Sequence, residues 1–238
     1  LPLDELNYEN FFLGNAAEYW VASQLYFHGF EAGKYSPDFG IDLVVTNAAR
    51  SKFKGEELWT RFLQIKSSFL VQGAARIYVD PGELDYLASE SGISSVYCFF
   101  TPRIEGEPQS FDRGDFEPWR ASLEAEMDQN FYDTHFHARK QEIGCLSTFD
   151  FKGFDLDYFW MNNRQLNRSI EEGFWSDEWV KGKHLKMLRA EKLEDEILLV
   201  NHVGKYPVIR ETRNMYYLYK RSKSSDKVEQ GAFNFDHY

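Results

Sequence analysis

A chain of 238 residues, 43% hydrophobic and 27% charged, is long enough to bury a sizeable core and too apolar for extended disorder. Its formal charge of −11 argues against a protein coated in phosphate contacts, while leaving room for a local basic strip. Two cysteines form neither a disulfide framework nor a zinc set, no apolar run reaches membrane-span length and no basic, apolar leader opens the sequence, so a soluble cytoplasmic protein without a membrane partner is expected.

Aromatics make up 17% of the chain, which predicts β-rich packing. Residues 1–12 read as acidic and irregular. Leu13 to His28 reads as a helix closed by Gly29, with Ala17, Val21, Leu25 and His28 as its apolar stripe. Glu18 lies three, four and seven positions before Val21, Ala22 and Leu25, which draws it toward the buried side; there it either meets a partner near Asp42 or sits at the boundary and reaches solvent. Phe30 to Tyr35 leads in as a short strand.

Residues 37–68 hold the densest chemistry. Pro37-Asp38-Phe39-Gly40-Ile41-Asp42 runs into Leu43-Val44-Val45, and Phe62-Leu63-Gln64-Ile65-Lys66-Ser67-Ser68 follows; each aliphatic run bounded by Gly, Pro, Asn or Ser predicts a strand. Alternation sends Gln64 and Lys66 to one face and Leu63 and Ile65 to the other, with Asp42 at the mouth of the first strand beside the freedom of Gly40. Asp38 is assigned to its turn, bonding its own backbone, in preference to a catalytic role. A carboxylate, an amide oxygen and an ammonium at one place suit a hard divalent cation and a water facing a phosphodiester.

This arrangement resembles the PD-(D/E)XK nuclease superfamily, in the branch of Mrr-like restriction enzymes and Holliday junction resolvases. The matching features are Glu18 in an N-terminal helix, Asp42 at the start of a strand and Gln64-x-Lys66 on the next, 22 positions after Asp42. They lie within residues 12–101. Gln64 departs from the commoner pattern, which has Glu or Asp there, and so removes a negative charge. The resemblance implies an α/β, restriction-endonuclease-like core with a central mixed sheet flanked by helices. It also implies metal-dependent cleavage of DNA with Mg²⁺ or Mn²⁺ held by Asp42, Gln64 and Glu18, Lys66 as the catalytic cation, and a homodimer.

Residues 46–61, with Arg50, Lys52, Lys54 and Arg61 set against Glu56 and Glu57, read as a solvated hairpin. Strands over 76–79 and 93–101 flank a short helix at 83–90, Cys98 being a small buried hydrophobe in the second of them. A polar stretch at 103–115 divides a core at 1–115 from a C-terminal α+β extension at 116–238, the two packing together or apart. Within the extension, Trp119 to Gln129 reads as a helix and Phe154 to Trp160 as a half-exposed strand whose acids are solvated. His135-x-His137 lacks the further ligands of a zinc site. Residues 181–227 carry twelve basic residues against six acids. Two readings of that surplus stand: a polyanion-binding segment using Lys181, Lys183 and Lys186, or a solvated helix at 184–195 followed by mixed-charge strands. Alternatives to a DNA endonuclease are a nuclease-fold nucleic-acid-binding or regulatory module without turnover, and an enzyme acting on RNA or a nucleotide.

Overall fold

The computed structural model describes residues 5–35, 40–70, 73–102, 154–180, 182–208, 210–215 and 218, and side chains from Leu13 onward. Asp38, the helix expected at 119–129, Cys145, His135-x-His137 and Lys181 lie outside these residues. The chain divides into a unit of Leu1–Glu9 with Pro102–Asp155 and a larger one of Asn10–Thr101 with Leu156–Tyr238.

The fold is α/β with a mixed sheet, and four α-helices are present among the described residues. Helix α1 (Glu5–Phe27) begins eight residues before the expected Leu13, since no glycine or proline interrupts residues 5–13. Strands β1 (Glu31–Lys34), β2 (Leu43–Thr46) and β3 (Thr60–Phe69) form an antiparallel meander, and β5 (Ile93–Pro102) lies parallel to β3. The sheet order is β1-β2-β3-β5-β6, so β6 (Phe154–Asn162) from the C-terminal half joins the same sheet beside β5. That strand is more buried than its alternating acids suggest, with Phe159, Trp160 and Met161 all in the core.

Between β2 and β3 the expected hairpin is instead helix α2 (Ala48–Lys54), ended by Gly55 in the left-handed region. No residue of α2 is buried, so the helix carries no apolar stripe to announce it. Its first turn is served from β1, where Glu31 Oε1 accepts the Ala49 amide hydrogen at 2.7 Å. Arg50 is absorbed structurally, bonded to Glu56 and to the His28 carbonyl and lying against the Phe30 ring.

After β3 the chain enters a second, antiparallel sheet through β4 (Ala74–Val79), then returns by helix α3 (Pro81–Ser89) to β5. Helix α4 (Asn163–Glu171) opens with a reciprocal capping box of Asn162 and Gln165. Strands β7 (Trp175–Val180), β8 (Lys183–Leu193), β9 (Glu196–Val200) and β10 (Lys205–Pro207) complete the second sheet. β8 pairs with β4 over residues 186–191, with β7 over 183–188 and with β9 over 189–193, so β7 and β9 share one of its edges. The helix expected at 184–195 is therefore this central strand: three neighbours satisfy its backbone, which overrides a charged pattern that local propensity favours as helix.

The first sheet is buried on both faces. Leu43, Leu63, Ile65, Val96 and Cys98 pack against Ala17, Val21 and Leu25 of α1. Tyr97, Phe99, Phe159 and Met161 face the other way, onto Leu84 and Leu87 of α3, Leu166 of α4, and Ile77, Leu188 and Leu199 of the second sheet. Neighbours on β5 thus alternate between two cores, which explains its unbroken apolar run. Among the described residues no helix is long and apolar enough to cross a membrane.

Burial pushes the Cys98 thiol far above its ordinary range. A thiol that stays protonated in the fold but ionises in the unfolded chain leaves stability intact below about pH 8.5 and erodes it above, by about 1.4 kcal/mol per pH unit. Urea midpoints measured from pH 7 to 10 are expected to fall along that slope, and Cys98→Ala, although less stable at pH 7, to show a flatter one.

Candidate functional site

The site grows from an irregularity at the mouth of β2. Ile41 packs in the core on the α3 side, whereas Leu43 packs against α1. Residues two apart on a regular strand share a face, so the alternation breaks at Asp42 and turns its carboxylate toward the edge of β3. The Asp42 amide donates to the Leu63 carbonyl at 2.9 Å and its carbonyl accepts from Tyr35 at 3.0 Å. Its Oδ2 accepts the Ile65 amide hydrogen at 2.5 Å, where a regular ladder has a main-chain acceptor. Held by two main-chain bonds and one to its carboxylate, Asp42 lies against β3 at Ile65, the residue between Gln64 and Lys66 in sequence.

Gln64 and Lys66 stand opposite Ser95 and Tyr97 of β5. Tyr97 belongs to the α3-side core, so all four residues share that face. Gln64 is 5% exposed, and its Oε1 is buried with no hydrogen-bond partner. A buried acceptor left unsatisfied costs about 1–3 kcal/mol, so the fold sustains an oxygen that no described residue bonds. Gly40 abuts it: at φ +82 its backbone favours glycine, and a Cβ there would come to 4.0 Å from Gln64 Oε1.

Lys66 Nζ meets Glu83 Oε1 at 2.6 Å, each side chain 25% exposed. Glu83 lies in the first turn of α3, where Asp80 caps the helix by accepting the Gly82 amide hydrogen at 2.8 Å. Sequence pattern alone marks Glu83 only as the start of a helix. The signal was present in Asp80-Pro81-Gly82-Glu83, an N-cap, a proline at the first helical position and a first-turn acid directly after a strand.

The structure brings Asp42, Gln64 and Lys66 together on adjacent strands but holds Glu18 elsewhere. Glu18 Oε2 pairs with Lys34 Nζ at 2.9 Å, and Lys34 also bonds Asn15 and covers the Tyr19 ring. Lys34 stands opposite Leu43 and so belongs to the α1 side of the sheet, across from Gln64 and Lys66. Among the described residues no three His, Cys, Asp or Glu side chains converge as a metal-binding group. Among the described residues, the Asp42 carboxylate and the Gln64 amide oxygen are the donors that β2 and β3 bring together.

Among the described residues, most cations of the basic segment are held by acids of the two sheets. Lys186 and His184 both hold Asp177, at 2.7 and 2.6 Å, and these contacts lower the Asp177 carboxyl below its usual range. Lys192 and Arg213 engage Asp157, while Arg189 and Lys205 engage Glu191. Lys183 is exposed at the start of β8.

No protein-family model, curated protein or solved structure matches this chain. The chain has an α/β fold with a mixed sheet, carrying a polar cluster where β2 and β3 meet the start of α3.

Proposed function

We propose that this protein is a metal-dependent DNA endonuclease of restriction, resolvase or defence type, built on a PD-(D/E)XK-like core. The observation that carries the reading is the buried, unpartnered Gln64 Oε1 beside a carboxylate fixed on the same pair of strands. Supporting it is the order of parts: a helix bearing Glu18, a strand with Asp42 at its mouth, and an adjacent strand bearing Gln64 and Lys66. An anionic oxygen and a carbonyl-type oxygen suit Mg²⁺ or Mn²⁺, which takes few protein ligands and leaves its other positions to waters and phosphate oxygens. Asp42 and Gln64 would hold such an ion; bound there, it supplies Lewis acidity and a water of lowered pKa. Lys66 orients the water and opposes the negative charge that builds on the phosphoryl oxygens. Glu18, held by Lys34, is left out of this set. Cutting both strands calls for two copies of the site, hence a homodimer.

The direct test is supercoiled plasmid incubated with the protein and Mg²⁺, Mn²⁺ or a chelator, with RNA as competitor. Nicking that needs the cation and survives RNA supports the proposal; cation-independent cutting or preference for RNA counts against it.

A second reading, a nucleic-acid-binding or regulatory module without turnover, is favoured by the amide at position 64. Gln64→Glu separates the two. A second carboxylate raises magnesium affinity about tenfold. In a working nuclease the added charge also draws Lys66 from the water, so turnover is expected to fall as affinity rises. In an inactive relative, cleavage absent from the wild type appears. Calorimetric titration beside a nicking assay reads both quantities.

DNA contact through the basic segment has its own test. If the segment contacts phosphates, neutralising Lys181, Lys183 and Lys186 removes about two contacts, Lys186 being already engaged by Asp177. Affinity is expected to weaken alike for all sequences, and the slope of log K against log salt to shrink by about two. An unchanged slope returns the segment to a solvated face.

A further inference from the structure

Lys66 is gripped by a carboxylate from outside the proposed set, Glu83 on α3. We infer that Glu83 is a positioning residue of this site: its carboxylate holds the Lys66 ammonium in place and supplies the negative charge that the amide at position 64 does not. The inference rests on the nuclease reading above.

Both ends of the contact are mounted on fixed elements. Lys66 sits on β3, paired on one side by β2 and on the other by β5. Glu83 precedes Leu84 and Leu87, both buried in the core, in a helix whose start is fixed by the Asp80 cap and Pro81. A site built from such elements holds its geometry more closely than one built on loops. A free lysine explores many rotamers, and that freedom is lost each time its ammonium must act at one point. The 2.6 Å contact with Glu83 has already removed it.

Glu83, half-buried against Lys66, is also near the next strand of the sheet. Tyr97, opposite Lys66 on β5, has its hydroxyl pushed far up mainly by burial; a bond with Ser95 counters this, and the charge of Glu83 adds to it. Glu83 therefore acts on two neighbouring groups of the same face.

The formal charges agree. Asp42, Gln64 and Lys66 sum to zero, which gives a dication no net attraction. With Glu83 the set carries one negative charge, as two acids and a lysine would. The carboxylate absent from position 64 is thus present on α3, against the lysine instead of beside the aspartate.

The test compares wild type, Glu83→Gln, Glu83→Asp and the double variant Gln64→Glu/Glu83→Gln, with Glu83→Gln repeated in a Lys66→Ala background. Plasmid nicking in Mg²⁺ gives kcat and KM. Acetic anhydride labelling of Lys66, read by mass spectrometry against Lys183, reports whether the ammonium is held without any need for activity. Glu83→Gln is expected to lower kcat about 10- to 100-fold with KM within about twofold, since a small misplacement of a catalytic group is that costly. Glu83→Asp and the double variant recover part of the loss, no further loss occurs when Lys66 is already alanine, and Lys66 labelling rises several-fold. Unchanged labelling, unchanged kcat, or an equal loss of residual activity in the Lys66→Ala background overturns the positioning role while an active wild type leaves the nuclease reading standing. A wild type that cuts no DNA with either cation ends that reading and the positioning role with it.

Discussion

Asp42→Ala is expected to leave a chain that binds no magnesium measurably and cuts no plasmid. Asp42 is the carboxylate of the proposed donor set, and the amide dipole of Gln64 does not hold a hard dication against its hydration shell. The substitution also strips the Ile65 amide of its acceptor, which costs about 1–3 kcal/mol of stability if that donor stays buried. Asp42→Asn separates the two effects, because it keeps an acceptor oxygen for Ile65 and removes only the charge. A folded Asp42→Asn chain with no cation affinity and no cleavage is the expected result, checked by circular dichroism, calorimetry and nicking. Retained cleavage in either variant would remove Asp42 from the site.

Lys66→Ala is expected to bind magnesium and DNA but to turn over about 10²–10³-fold more slowly, as loss of a preorganised positive group does. Removing the ammonium also releases Glu83, so the local charge becomes more negative and magnesium affinity holds or rises. A slow variant with undiminished cation affinity therefore excludes loss of metal as the cause. Lys66→Arg is not expected to restore the rate, because a planar guanidinium places its charge differently from a compact ammonium. Single-turnover cleavage at saturating magnesium measures the effect, and a wild-type rate in Lys66→Ala would refute the assigned role.

The parts of the site legible in the sequence were those set by local pattern. Two aliphatic runs with defined boundaries gave β2 and β3, and period-2 alternation put Gln64 and Lys66 on one face. The Ala17, Val21 and Leu25 stripe was legible because α1 packs on a single sheet face. Long-range pairing hid the rest. Nothing near Lys66 announces Glu83, which reaches it only because α3 begins over β3, and nothing near Glu18 announces Lys34. β8 reads as a charged helix until its two edges are filled, one by β4 from far back in the chain and the other by its sequence neighbours β7 and β9. Helix α2 was missed for the opposite reason: it buries nothing and takes part of its N-terminal capping from Glu31 on another strand.

The central claim is that Asp42 and Gln64 hold a divalent cation, and the most direct measurement is a crystal soaked in Mn²⁺ as a stand-in for Mg²⁺, examined by anomalous scattering. The expected result is a peak with an Asp42 carboxylate oxygen and Gln64 Oε1 both at about 2.1 Å, the distance that hard octahedral cations of this size require. An anomalous map without a peak between these two oxygens, in crystals whose manganese is visible elsewhere, would contradict the account.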